Sequence, residues 1–292
     1  MPPATRTSFV IASRNRSAEL ATTIARLLDT TPCPIIAVDN GSEDDSVATI
    51  RGFASRSAGR VSAIELTSNR GVEARNIGVA ACRTPNVAFC DDDSWWAPEA
   101  ISGAEDIFDR YPTVGLLAAR TIVLPEHRED PLAAVLANSV LGRRPHLPGP
   151  SILGFMTCAA IVRKDAFEAA GGFSEILHFY GEEQLLAVDL AALGWDLCYC
   201  PELTAFHQPS AVRGSSTARQ ARELRNAVLT TWMRRPIRRC LKATGTLLWA
   251  ARRDGEHARG AAQALVRLPA VISRRRPLPA EVERELALVE SG

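Results

Sequence analysis

Residues 86–93 of the chain spell Asn-Val-Ala-Phe-Cys-Asp-Asp-Asp, an apolar run that ends in three consecutive carboxylates. A short apolar run bounded by polar residues predicts a buried β-strand. Three adjacent carboxylates at the end of such a strand raise each other's pKa unless a cation is present. A hard divalent metal relieves this repulsion, because Mg²⁺ takes one or two carboxylates together with substrate phosphates. The alternative is an acidic turn that is simply solvated.

Three strand–helix pairs precede this stretch. Their strands are predicted at residues 8–12, 34–38 and 61–66, and their helices at 17–28, 44–55 and 71–81. With 86–90 as the fourth strand, the order β-α-β-α-β-α-β predicts an α/β fold with a Rossmann-like, doubly wound, mostly parallel sheet. Ligands bind such sheets beyond the carboxyl ends of the strands. We therefore expect the chemistry of the protein at that edge.

The rest of the chain is less regular. It contains a predicted helix at 97–110, strands at 114–123, 155–162 and 195–200, and a helix at 182–193. Residues 124–150 are proline-rich and polar around a predicted helix at 132–141. From residue 219 onward the pattern is helical. A length of 292 residues suits one large α/β domain with a helical appendage.

Charge divides the chain into two parts. Residues 1–212 contain 17 Lys and Arg against 26 Asp and Glu, whereas residues 213–292 contain 17 against 7. We therefore predict a main domain at 1–212 and a basic helical C-terminal extension at 213–292. Such asymmetry favours an anionic partner for the extension, either a membrane surface or the acidic main domain.

Several classes of protein are disfavoured. The chain contains neither the GxGxxG pattern after its first strand nor the GxxxxGK[ST] pattern, which argues against nicotinamide enzymes and ATPases. The seven cysteines form no CxxC pair, which argues against zinc ribbons and fits a reducing compartment. Met1 to Ser8 lack the apolar run of a signal peptide. We expect a cytoplasmic protein, with peripheral contact at the inner face of the cell membrane as an open alternative.

Polar clusters also follow the first two predicted strands. Ser13-Arg14-Asn15-Arg16 follows strand one, and Asp39-Asn40-Gly41-Ser42 follows strand two. The parallel sheet would bring both clusters to the same edge as Asp91 to Asp93. Each cluster alone could be a simple turn, since Asp, Asn and Gly are common turn residues.

Taken in order, these clusters resemble the motifs of family 2 glycosyltransferases. Residues 8–16, SFVIASRNR, are similar to the opening strand and loop of that family, and 38–42, VDNGS, to its second-strand motif. Residues 69–78, NRGVEARNIG, closely match its Asn-x-Gly and Ala-Arg-Asn-x-Gly segment. Residues 89–93, FCDDD, resemble its Asp-x-Asp motif. Residues 171–173, GGF, and 180–183, YGEE, resemble its acceptor-side signature.

The resemblance, over about residues 8–210, implies a GT-A fold, with a nucleotide-sugar half at about 1–95 and an acceptor half at about 96–212. It implies transfer from a nucleotide diphosphate sugar with inversion at the anomeric carbon. Asp39 would bind the base or ribose of the donor. The other residues expected to bind the nucleotide sugar are Ser13, Arg14, Asn40, Arg70, Arg75, Asp91 and Asp92.

The resemblance also assigns the metal and the catalytic base. Asp93 would hold a divalent metal ion, Mn²⁺ or Mg²⁺, and His207 stands where some members of the family have a metal-ligating histidine. Glu183 stands where the general base stands, with Glu182 as the alternative. The chain departs from the family pattern here, because the base is usually Asp and because Leu185 replaces an Asp that often follows.

We therefore expect a metal-dependent inverting glycosyltransferase that uses a UDP or dTDP sugar. The acceptor is expected to be a glycan, a lipid-linked saccharide or a small metabolite, as in cell wall or polysaccharide biosynthesis. Two alternatives remain open: a catalytically degenerate scaffold with the same fold, and a nucleotidyltransferase. In the extension, residues 213–276 combine Arg with Trp and Leu, a pattern typical of helices that contact anionic membranes. We expect no nucleic acid as partner, because stacking aromatics are few. The sequence leaves the oligomeric state open.

Overall fold

The structure, a computed structural model, describes residues 5–210 and 216–291. Residues 1–4, part of the stretch expected to lack a signal peptide, lie outside the described residues. So do residues 211–215, which include the predicted start of the basic extension, and residue 292.

The first 90 residues alternate strands and helices as the sequence predicts. Three of the strands are apolar runs with little exposure, whereas the edge strand at residues 61–66 alternates and is largely exposed, and the helices turn an apolar stripe toward the sheet. The elements are β1 (Thr7–Ser13), α1 (Ser17–Thr30), β2 (Ile35–Asn40), α2 (Ser46–Arg56), β3 (Val61–Leu66), α3 (Glu73–Ala81) and β4 (Asn86–Cys90).

The second part of the main domain adds shorter and more varied elements. Two of its helices begin with proline. The first residue of a helix has no carbonyl partner for its N–H, so proline, which lacks this group, loses no hydrogen bond there. The elements are β5 (Ser94–Trp96), α4 (Pro98–Arg110), β6 (Val114–Val123), β7 (Arg128–Glu129), α5 (Pro131–Ala137), β8 (Ala160–Arg163), α6 (Lys164–Ala169), α7 (Glu182–Ala192) and β9 (Asp196–His207).

The strands form one mixed sheet, which has nine strands in the described part of the chain. Its order is β3-β2-β1-β4-β8-β6-β9-β5, with β7 paired to β6. β1 pairs in parallel with β2 and β4, and β6 with β9, whereas β8 runs antiparallel to β4 and β6. Six strands therefore point the same way, which agrees with the predicted mostly parallel sheet.

Helices cover both faces of the sheet, as the doubly wound prediction requires. On one face α1, α2 and α4 bury Leu20, Ile50 and Ile107 against the sheet. On the other face α3, α6 and α7 bury Val79, Phe167 and Leu190. Because both faces are covered, the carboxyl edge of β1, β2 and β4 is where polar side chains can gather.

Two strand predictions were wrong in extent. The strand expected at 155–162 begins only at residue 160, after a short 3₁₀ turn at Thr157–Ala159. The strand expected to end at residue 200 continues to His207. Ala119 pairs with Cys200 and Arg120 with Thr204, so residues 201–203 form a bulge in the ladder. Pro201, which would break a central strand, is accommodated in that bulge.

The basic segment is helical and packs on the main domain. It consists of α8 (Ser216–Arg234), α9 (Ile237–Ala250), α10 (Gly255–Ser273) and α11 (Ala280–Val289). Leu229 and Met233 of α8 share a buried cluster with Leu185 and Val188 of α7. Ion pairs accompany this apolar cluster, because Arg234 contacts Asp189 and Arg274 contacts Glu175, so the contact combines buried apolar side chains with the charge attraction expected from the sequence.

All seven cysteines are buried as free thiols. Burial raises the pKa of Cys33 and of Cys82 to about 11. Over residues 5–210 and 216–291, we find no helix with the length and apolar character needed to cross a membrane.

Candidate active site

A polar cleft of about 380 Å³ lies at the carboxyl ends of β1, β2 and β4. The parallel register brings together the residues that follow these strands, because Ser13 pairs with Asp39 and Ile11 with Cys90. Eight of the predicted site residues line this cleft: Ser13, Arg14, Asn40, Arg75, Asp91, Asp92, Asp93 and His207.

The three consecutive aspartates have three different environments. Asp91 accepts a hydrogen bond from Arg75 Nη2 at 2.5 Å. Asp92 is buried and accepts from Ser13 Oγ at 2.7 Å. Burial, and to a smaller extent the two neighbouring carboxylates, raises the pKa of Asp92 to about 7. The predicted repulsion therefore contributes to the raised pKa of Asp92, but burial is the larger cause.

Asp93 lies beside two basic groups. Its Oδ1 is 3.4 Å from Nε2 of His207, and its Oδ2 is 3.6 Å from Nη1 of Arg16. Burial alone would raise the pKa of Asp93, but the hydrogen bond and charge of His207 lower it overall. The pairing of β5 with β9 explains this contact, because Ser94 lies opposite His207.

Asp93 and His207 provide the donor types that a divalent metal requires. A carboxylate and an imidazole are both common ligands of divalent metals. Within the described residues, no group of three or more His, Cys, Asp or Glu side chains is arranged to hold a metal. The residues present therefore fit a cation that takes its remaining ligands from phosphate oxygens and water, as Mg²⁺ commonly does.

The remaining predicted donor-binding residues lie around this cleft. Asp39 is buried, and its Oδ2 accepts from the N–H of Ser42 at 3.0 Å. Its Oδ1 has no partner in the part of the chain that the structure describes. Asn40 bonds the backbone of residues 70 and 71 through both atoms of its amide. The side chain of Arg70 points to Glu73 rather than into the cleft. The nucleotide-binding roles of these residues stay predictions.

A second cavity of about 420 Å³ contains the two candidate bases. Glu182 and Glu183 are the first residues of α7, and both line this cavity. Glu183 Oε1 accepts a hydrogen bond from Thr157 Oγ1 at 3.0 Å. Arg75 and Asp91 also line the second cavity, so they form a wall shared with the first cleft.

Burial raises the pKa of both glutamates. The pKa of Glu182 rises to about 8, because its carboxyl is desolvated and lies beside Glu183. Burial also raises the pKa of Glu183. The hydrogen bond from Thr157 and the charge of Arg75 offset part of this rise. Perturbed carboxyl groups in a cleft are typical of functional sites.

Sequence reasoning assigned no role to several residues of the two cavities. Arg16 belongs to the quoted SRNR loop, so the motif itself could have suggested it. Thr157 carries no local signal, because only the fold brings it to Glu183. His178 also lines the first cleft. Arg219 and Arg222 come from α8 and lie over the ring of Tyr180.

A family model described as "Glycosyl transferase family 2" matches residues 8–171. The chain belongs to glycosyl transferase family 2. This result confirms the resemblance drawn from the sequence, and the matched region contains Asp39, Arg75 and all three aspartates of the cleft.

A curated relative is the "Pre-mycofactocin glycosyltransferase" of Mycobacterium tuberculosis, matched in strains CDC 1551 and H37Rv. It is 35% identical over 143 residues, which cover 46% of this chain and 29% of the relative. The match thus spans less than a third of that protein.

Solved structures confirm the predicted GT-A fold. S. aureus TarS 1-349 in complex with UDP-GlcNAc has a TM-score of 0.59 at 14% identity, covering 77% of this chain and 66% of its own. The mannosyltransferase PcManGT from Pyrobaculum calidifontis, in complex with GDP-Man and Mn²⁺, has a TM-score of 0.59 at 17% identity. That likeness covers 98% of this chain and 79% of the mannosyltransferase.

Proposed function

We propose that the protein moves a sugar from a nucleoside diphosphate sugar to an acceptor hydroxyl, with inversion at the anomeric carbon. The observation that carries this proposal is the wall shared by the two cavities. Arg75 and Asp91 line both the cleft at the strand ends and the cavity of Glu182 and Glu183. A donor in the first and an acceptor in the second would meet at this wall.

In this proposal Glu183 is the general base. An acceptor hydroxyl that attacks the anomeric carbon must lose its proton, so a carboxylate within hydrogen-bond reach assists the attack. Thr157 holds one oxygen of Glu183 at 3.0 Å, which fixes the orientation of the carboxylate. One such carboxylate is enough, in contrast to glycoside hydrolases, where two flank the bond.

Asp93 and His207 would hold the divalent cation, Mn²⁺ or Mg²⁺, together with the diphosphate of the donor. When bound, the cation supplies positive charge that stabilises the departing nucleoside diphosphate. Arg16 of the chain would assist, because its Nη1 is buried beside Asp93 and has no hydrogen-bond partner among the described residues. The unpartnered Oδ1 of Asp39 supports its expected role as an acceptor for the base or ribose.

The perturbed glutamates favour an enzyme over a degenerate scaffold. Two adjacent, desolvated carboxylates reduce the stability of the fold, and a protein without turnover gains nothing from them. A nucleotidyltransferase remains chemically distinct, since it would release pyrophosphate.

Release of nucleoside diphosphate tests the proposed reaction. The purified protein, with Mn²⁺, is incubated with UDP, dTDP and GDP sugars, because related structures hold UDP-GlcNAc or GDP-Man. We expect slow, metal-dependent donor hydrolysis to the diphosphate, abolished by Glu183→Gln. Release of pyrophosphate, or no release from any donor, would overturn the proposal. The acceptor panel then includes small metabolites, glycans and lipid-linked saccharides.

We further propose that α9 and α10 contact an anionic lipid surface. Their exposed apolar side chains include Leu241, Leu248, Trp249, Leu265, Val266 and Ile272. Residues 237–276 contain ten Lys and Arg against two acids, and three of these arginines, Arg239, Arg259 and Arg274, pair with Glu290, Glu256 and Glu175. Each basic residue near an anionic bilayer contributes about 1 kcal/mol. This excess of positive charge favours anionic lipid over a second copy of the same basic surface.

A further inference from the structure

The loop before the candidate base has an unusual backbone. His178, Tyr180 and Gly181 have φ angles of 65°, 75° and 80°. Glycine adopts such left-handed angles readily, but His and Tyr do so only at a cost in free energy. Strained residues of this kind persist when the surrounding structure holds them in place, and they are concentrated at functional sites.

Asn226 of α8 holds this loop. Its side chain is fully buried, and its Nδ2 donates to the carbonyls of Leu177, Phe179 and Tyr180 at 3.0, 2.7 and 2.7 Å. Its Oδ1 accepts from Nε of Arg225 at 2.8 Å. The amide orientation follows from these partners, because only the nitrogen can donate to three carbonyls. One side chain of the extension thus binds three backbone groups of the loop.

Two arginines of the extension reinforce the same contact. Arg225 Nη2 donates to the carbonyl of Leu177 at 3.1 Å, and Arg267 Nε donates to that of Ile176 at 3.1 Å. The loop carbonyls from residue 176 to 180, except that of His178, therefore bond to α8 or α10. The carbonyl of His178 faces the other way and accepts from the N–H of Val72 at 2.8 Å.

This loop lies between the two cavities. His178 and Phe179 line the cleft at the strand ends, whereas Phe179, Tyr180 and Gly181 line the cavity of the glutamates. Gly71 allows the close approach of His178, since a Cβ at Gly71 would lie 2.2 Å from the His178 carbonyl oxygen. Glu182 and Glu183 follow directly, so the loop conformation sets where α7 begins.

We propose that Asn226 is a positioning residue, which fixes the 176–181 loop and thereby sets the placement of Glu183 against the donor cleft. The role of Glu183 rests on the proposed function, whereas the restraint of the loop does not. The C-terminal extension would then be part of the catalytic unit, although residue 226 lies beyond the region matched by the family model.

Asn226→Asp tests this proposal with little change in shape. It keeps the acceptor for Arg225 and replaces the donating nitrogen with an oxygen that faces three carbonyls. Asn138→Asp is the matched control, because Asn138 also donates to a backbone carbonyl but is exposed and bonds only within its own helical turn, to Ala134. Asn226→Ala, which removes the same bonds without adding charge, serves if the Asp variant does not fold.

The first measurement is amide hydrogen exchange of the full chain, which requires no turnover. We expect peptides over 176–185 and 70–74 to exchange at least about tenfold faster in the variant, with α9 unchanged. The second measurement is kcat for donor hydrolysis, which should fall about 10- to 100-fold, because small misplacements of reacting groups cost that much. The KM for donor should change less than kcat.

Unchanged exchange in the loop would overturn the proposal. Faster exchange with kcat within twofold of the wild type would overturn it as well, since the contact would then be structural only. A wild type that turns over no donor would count against the proposed function instead, and the exchange result would still decide whether Asn226 restrains the loop.

Discussion

Arg75 Nη2 donates to Asp91 Oδ1 at 2.5 Å, and this pair separates the cleft at the strand ends from the cavity of the two glutamates. Arg75 is almost fully buried, and its charge offsets part of the rise that burial causes in the pKa of Glu182 and of Glu183. One guanidinium on α3 therefore acts electrostatically on three carboxylates that belong to both halves of the proposed site.

Removing this charge should impair turnover and shift its pH dependence. In Arg75→Met the side-chain volume is nearly kept, but Asp91 and the glutamates lose their cation. We expect donor turnover to fall by about 100-fold, because Asp91 loses its hydrogen-bond partner at the shared wall and small misplacements of reacting groups cost that much. The acid limb of the pH–rate profile should move to higher pH, because the pKa of Glu183 rises further without Arg75. Arg51→Met, an exposed arginine paired with Glu65, is the control. An unshifted acid limb would contradict the assignment.

The two glutamates should differ when each becomes glutamine. Glu183→Gln is expected to slow transfer by about 10² to 10⁴, the usual contribution of a general base, with nucleotide affinity kept within about threefold. Glu182→Gln should have a smaller effect, because Glu182 lacks the bond from Thr157 that orients Glu183. Steady-state kinetics and calorimetric titration with UDP measure both quantities. If Glu182→Gln proves the more damaging, the base has been assigned to the wrong glutamate.

Metal-dependent nucleotide binding should require Asp93 and His207. Titration calorimetry with UDP is performed in Mn²⁺ and again in EDTA. We expect the wild type to bind more tightly in Mn²⁺, and Asp93→Asn to remove most of that difference because a charged ligand is lost. His207→Gln should remove part of it. Asp29→Asn, at an exposed position, should behave as the wild type. Equal affinity with and without metal in the wild type would argue against a bridging cation.

The stability of the protein should fall as the pH rises through the neutral range. The folded state binds a proton at Glu182 up to a pKa of about 8, whereas the unfolded chain releases it near 4.5. Between pH 4.5 and about pH 8, folding therefore takes up a proton at Glu182. The stabilisation that this proton provides is full below pH 4.5 and is lost as the pH rises past about 8. Glu182→Gln cannot ionise, so its melting temperature should exceed that of the wild type at pH 9 by a few degrees, at about 2–4 °C per kcal/mol. Thermal melts at pH 5, 7 and 9 compare the two proteins, and parallel curves would refute the linkage.

Binding to vesicles should depend on both charge and the apolar face of α10. The wild type should sediment with phosphatidylcholine vesicles that contain phosphatidylglycerol, less so at high salt, and not with pure phosphatidylcholine. Leu265→Glu with Val266→Glu should abolish sedimentation. Val135→Glu, on an equally exposed position of α5, is the control. If the paired substitution instead changes the size of the particle in solution, the face joins two copies of the chain.

The first half of the fold could be predicted because its signals are local. β1, β2 and β4 are short apolar runs followed by polar residues, and the helices between them show an apolar stripe. The later strands could not be predicted as well, because β8 and β9 obtain their limits from partners across the sheet. Pro201 in β9 is an example, since the sequence alone gives it as a strand end and only the bulge opposite β6 accommodates it.

The candidate site shows the same division. Asp93 and Glu183 were named from motifs, and both lie in cavities at the expected edge of the sheet. Thr157 and Asn226 carry no motif, because their importance comes from contacts with residues 26 and 46–49 positions away in the chain. Burial also acts in a way that spacing does not reveal. From the sequence, Asp91, Asp92 and Asp93 are expected to repel one another alike. In the structure they differ in burial and in the side chains that they contact.

The burial of every native thiol gives the protein a practical advantage for spectroscopy. Burial raises the pKa of Cys33 and Cys82 to about 11, so these thiols stay protonated and react slowly with maleimides at neutral pH. A cysteine introduced at an exposed position such as 265 would then be the fast-reacting group. A polarity-sensitive fluorophore attached there could report whether that face enters a bilayer, without removal of any native cysteine.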